Sequence, residues 1–94
     1  SYSIYVSSNE AAVMMQMIED DDYRFMEEVR LNVLELGLDD AISWVESDGT
    51  PRDIYWLRSG NYVMKMYTGF TPTEDQIKTM AELFLVWIQE NPFS

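Results

Sequence analysis

Apolar and polar positions in this chain follow two different periods. Residues 2–6, YSIYV, alternate Tyr2, Ile4 and Val6 with Ser3 and Tyr5, which predicts a short strand. Residues 10–18, EAAVMMQMI, place Ala11, Met14, Met15 and Ile18 at i, i+3, i+4 and i+7, which predicts a helix, with N-cap candidates at Ser7, Ser8 and Asn9. Val13 and Met17 make its opposite side apolar too, so its methionines are either core filler or an adaptable contact surface. Glu19, Asp20, Asp21 and Asp22 break the pattern by mutual repulsion and the poor helix propensity of Asp.

The helical period returns over residues 23–36. Phe25, Met26, Val29, Val33 and Leu36 share one face, Arg24, Glu27, Glu28 and Glu35 the other, and Gly37 suits the C′ position. Residues 38–46, LDDAISWVE, predict a further short helix capped by Asp39 or Asp40. Ser47-Asp48-Gly49-Thr50-Pro51 is the clearest loop. Residues 53–58 and 61–68 predict a β-hairpin turning at Ser59-Gly60 or Gly60-Asn61. Ile54 and Trp56 oppose Tyr55 and Leu57 on its first arm. Both faces of the hairpin are apolar, so either helices cover both or one face is an interface. Finally, Thr73 to Gln76 fits a capping box, with Thr71 to Glu74 as an alternative register, for a helix from about Glu74 to Gln89. Its core stripe is Ile77, Met80, Ala81, Phe84, Trp87 and Ile88.

The expected order is β-α-α-α-β-β-α. This predicts a single α+β domain over residues 1–94, a small, mainly antiparallel sheet (N-terminal strand plus hairpin) packed with about four helices. No secretory signal or membrane-spanning run of about 18 apolar residues is read from the sequence.

Charge changes the picture. The chain carries 17 acidic and 6 basic residues, net −11, and residues 1–53 hold 13 of the acids but 3 of the bases. Such a field repels nucleic acid and anionic membrane and attracts a basic partner. Histidine and cysteine are both absent. Their absence removes Cys/His and Ser-His-Asp nucleophilic sites within one chain and makes zinc an unfavourable ligand. Lack of cysteine also points to the cytoplasm. Paired carboxylates can serve acid–base chemistry when their environments differ, but here they cluster in polar runs. The Glu19–Asp22 run lacks the spacing and central glycine of a calcium loop. An enzyme is therefore not expected, and neither a metal nor a cofactor is.

What remains is an acidic face able to imitate nucleic acid, whose duplex form carries one charge per about 1.7 Å of axis. Its candidate partner-binding residues are Glu19, Asp20, Asp21, Asp22, Glu27, Glu28, Glu35, Asp39 and Asp40. In size, acidity and lack of a catalytic set the chain resembles small inhibitors made by phages and bacteria: DNA mimics, restriction or CRISPR antagonists, and toxin-immunity proteins. That resemblance is one of composition and carries no motif. It implies a non-enzymatic inhibitor that occupies the nucleic-acid-binding surface of a basic partner protein, without itself contacting nucleic acid or membrane. The alternative is a structural subunit that homodimerises through the apolar excess of residues 10–18, 54–67 and 77–88, its acidity serving only solubility.

Overall fold

Tertiary pairing overrides local propensity in the middle of this chain. The computed structural model describes residues 2–6 and 26–92. Among the described residues five antiparallel strands and two helices follow in order: β1 Tyr2–Val6, β2 Met26–Arg30, α1 Val33–Leu36, β3 Asp40–Glu46, β4 Pro51–Ser59, β5 Tyr62–Tyr67 and α2 Glu74–Glu90. The sheet order is β1-β5-β4-β3-β2, so β2 to β5 form a meander and β1 closes the far edge beside β5.

This corrects the expected architecture of about four helices in the order β-α-α-α-β-β-α. Residues 26–30 are a strand where a helix over 23–36 was expected. Of that helix, α1 is the four-residue remainder, ended by Gly37 at φ 69° and ψ 24°. Residues 40–46 are likewise a strand, not a capped helix. The cause is non-local. β2 and β3 pair from Met26 opposite Glu46 to Arg30 opposite Ile42, and Leu31 N–H extends the ladder to the Ala41 carbonyl at 2.9 Å. Glu favours helices by only tenths of a kcal/mol, which strand pairing outweighs. The helix expected over 10–18, and the break at Glu19–Asp22, lie outside the described residues.

The hairpin forms as expected, its turn at Gly60-Asn61, where Ser59 pairs with Tyr62 and Gly60 takes φ 58°. Its alternation divides the core. Tyr55, Leu57, Tyr62, Met64 and Met66 lie on the face that meets α2, against Ala81 and Phe84. Ala81 is fully buried, and its small side chain lets the helix approach the sheet closely. Ile42, Trp44, Trp56 and Val63 form a second buried cluster with Tyr5 and Ile54 packed against it. Both faces of the hairpin are thus consumed by core. The bulk of the apolar excess in residues 54–67 is accounted for by folding.

β4 departs from regular pairing near its start. Trp44 pairs with Ile54 but Val45 with Pro51, leaving Arg52 and Asp53 as extra residues on β4. Asp53 takes φ 58°, a left-handed conformation that Asp tolerates better than most residues. Its carbonyl accepts from Thr68 N–H at 3.0 Å and its Oδ1 from the Thr71 hydroxyl at 3.1 Å, which joins the bulge to the loop before α2.

Candidate partner-binding site

Helix α2 begins where the sequence places it. Thr73 Oγ1 accepts from Gln76 N–H at 3.2 Å, and the Gln76 side chain accepts from Thr73 N–H at 2.9 Å. This capping box puts Glu74 and Asp75 in the first helical turn, where the helix dipole favours negative charge. Both are exposed.

Short helix α1 packs beside this end of α2. Between the two runs a groove of about 430 Å³, lined by Leu31, Asn32, Glu35, Leu36, Glu74, Asp75, Ile77 and Lys78. Leu31, Leu36 and Ile77 pack on the main core, so the groove has an apolar floor. Glu35, Glu74 and Asp75 add three carboxylates to its lining, and Lys78 adds one positive charge. Residues almost forty positions apart in sequence thereby share one acidic concavity.

The other expected site residues are dispersed. Glu27 is exposed on β2, and Glu28 stands in the same strand at the position opposite Trp44. Because residues 26–30 are a strand, the helical face expected to carry Arg24, Glu27, Glu28 and Glu35 does not form. Asp40 is engaged locally. Arg30 Nη1 donates to its Oδ2 at 2.6 Å, and Ala41 N–H donates to its Oδ1 at 2.9 Å. Asp39 Oδ2 accepts from Gly60 N–H at 2.6 Å. These two carboxylates brace the sheet, and their charge is partly spent there. Glu19, Asp20, Asp21 and Asp22 lie outside the described residues.

The turn between β3 and β4 carries further exposed acid. Asp48 Oδ1 accepts from Thr50 N–H at 2.9 Å, and hydrogen bonding from Thr50 holds its carboxyl below the ordinary value. Arg52 Nη1 pairs with Glu46 Oε1 at 3.1 Å. Among the described residues no group of three or more His, Cys, Asp or Glu side chains is placed to hold a metal ion. No described helix is long and apolar enough to cross a membrane.

Of the groove's carboxylates, sequence reasoning selected Glu35 and passed over Glu74 and Asp75. Their signal was visible only as helix-start chemistry, since nothing local says that the α2 N-terminus meets α1. No family model matches the chain, and neither a curated protein nor a solved structure matches it.

Proposed function

We propose that this protein is a non-enzymatic inhibitor that sets an acidic surface against the basic nucleic-acid-binding surface of a partner protein. The observation that carries the reading is the convergence of Glu35, Glu74 and Asp75 on one apolar-floored groove in a chain of net charge −11. Fixed carboxylates offer a basic surface what phosphates offer it: full negative charge and strong acceptor oxygens. The long-range field raises the encounter rate, and the floor of Leu31, Leu36 and Ile77 gives a partner's aliphatic or aromatic anchor somewhere to desolvate. Exposed Glu27 and Asp48 extend the field beyond the groove. The setting is the cytoplasm, and the biological class is that of phage antagonists of restriction or CRISPR systems, or of toxin-immunity proteins.

The experiment couples capture to competition. The immobilised protein is exposed to a lysate of its source cells or their host, and retained proteins are eluted with rising salt. The recovered partner is then tested for nucleic-acid binding in the presence of the soluble chain. Retention of a basic protein that releases as salt rises, and that loses its nucleic acid to the chain, supports the reading. A partner whose affinity ignores salt, or which binds nucleic acid and this chain together, refutes it.

A further inference from the structure

We propose that the outer edge of β1, with the apolar cleft beside it, is the docking surface for a second copy of this chain. β1 is the terminal strand of the sheet, and among the described residues no strand pairs with its outer side. An edge strand presents backbone N–H and C=O groups from alternate residues, and natural edges are blunted with charge, proline or bulges. Tyr2-Ser3-Ile4-Tyr5-Val6 has none of these, and pairs with β5 in unbroken register. Backbone groups that no described strand takes up make another strand the fitting occupant.

A cleft of about 270 Å³ runs alongside, between Tyr2 and Ile4 on the strand and Met80, Leu83 and Trp87 on α2. None of its lining residues is charged. Tyr2 is 66% exposed and Leu83 65%. In a chain of net −11, two copies repel least where neither brings a carboxylate, whereas a basic partner gains nothing from such a surface.

The strand is also complementary to itself. Tyr2, Ile4 and Val6 register with Met66, Met64 and Tyr62, so all three lie on the α2 side of the sheet. Antiparallel pairing about a two-fold axis through Ile4 sets Tyr2 beside Val6 of the second copy and Ile4 beside its equivalent. The two sheets become one continuous sheet, and each cleft gains apolar side chains from the other copy. An isologous contact of this kind closes at two. It differs in place from the carboxylate groove and depends on neither its residues nor its charge.

Sedimentation equilibrium from micromolar to sub-millimolar protein tests this, at low and high salt. The expected result is a monomer–dimer equilibrium that shifts toward dimer as salt screens the mutual repulsion, opposite in sign to the salt response of the acidic groove. Tyr2→Lys and Leu83→Lys, each with an unchanged far-ultraviolet circular dichroism spectrum, are expected to weaken dimerisation by about tenfold or more. Leu83→Lys leaves the strand untouched, so it decides the matter should Tyr2→Lys disturb folding. A wild-type chain that stays monomeric at sub-millimolar concentration in high salt overturns the proposal, as does dimerisation unaffected by a folded Leu83→Lys chain.

Discussion

Gly60 donates its backbone N–H to Asp39 Oδ2 at 2.6 Å, across 21 positions of sequence. The contact is part of a small clamp. Asp39 N–H returns to the Arg58 carbonyl at 2.9 Å, and Arg58 Nη1 reaches the Gly60 carbonyl at 3.1 Å. The β4–β5 turn is thus tied to the entry of β3 by the side chain of a residue expected to serve a partner.

That assignment has a measurable consequence. A hydrogen bond from a backbone N–H to an exposed carboxylate contributes modestly, so Asp39→Ala is expected to lower stability by about 1 kcal/mol in urea denaturation. Asp39→Asn keeps an acceptor for Gly60 N–H and should lose less than half of that.

The buried tryptophans set the largest single cost. Trp56 is fully buried and Trp44 nearly so, their rings edge-to-face with centroids 5.1 Å apart. Trp56→Ala removes that packing and leaves a cavity, a loss of about 3–5 kcal/mol. Against a total stability of about 5–15 kcal/mol for a domain, this brings the chain close to unfolding. Loss of near-ultraviolet circular dichroism together with a much lower urea midpoint is the expected outcome, with Trp56→Phe intermediate.

Thr73 holds the groove's acidic rim indirectly. Thr73→Ala removes the acceptor for Gln76 N–H and should cost about 1 kcal/mol in urea denaturation, while Thr73→Ser is near neutral. Because Glu74 and Asp75 follow the cap directly, Thr73→Ala should also weaken partner binding more than its exposed position alone would suggest.

Tyr55 gives the fold an alkaline limit. Burial, and secondarily the negative charge of Asp53, raise its phenol above the ordinary value of 10.0. The folded state therefore holds this proton more tightly than the unfolded chain does. The corresponding stabilisation is complete below pH 10.0 and is lost as pH climbs through the raised folded value. Denaturation midpoints measured across that range should fall, and Tyr55→Phe should flatten the decline relative to the wild-type chain.

Local chemistry was legible where it acts alone. β1 alternates cleanly, the hairpin has its glycine turn, and α2 has both a capping box and a continuous stripe from Ile77 to Ile88. Residues 26–30 and 40–46 were not legible because their state is decided by each other. Glu27 and Glu28 suit a helix, and Asp39-Asp40 before an apolar run resembles a helix start. The alternation of Ile42 and Trp44 was the weaker, correct signal, because it places both in the second buried cluster. The groove suffered in the same way. Glu35 was visible as one acid among many, but its meeting with Glu74 and Asp75 exists only once α1 and α2 are packed.

The acidic groove is tested most directly by replacing its charge without its shape. Glu35→Gln, Glu74→Gln and Asp75→Asn together remove three carboxylates while keeping side-chain volume. Competition with nucleic acid for the captured basic partner is measured for this triple variant and for the wild-type chain, across a range of salt. The expected result is at least tenfold weaker competition by the variant and a shallower salt dependence, with the urea midpoint lowered only by the modest loss of the Glu74 and Asp75 charges from the first turn of α2. Equal competition by the two chains with the same salt dependence would contradict it.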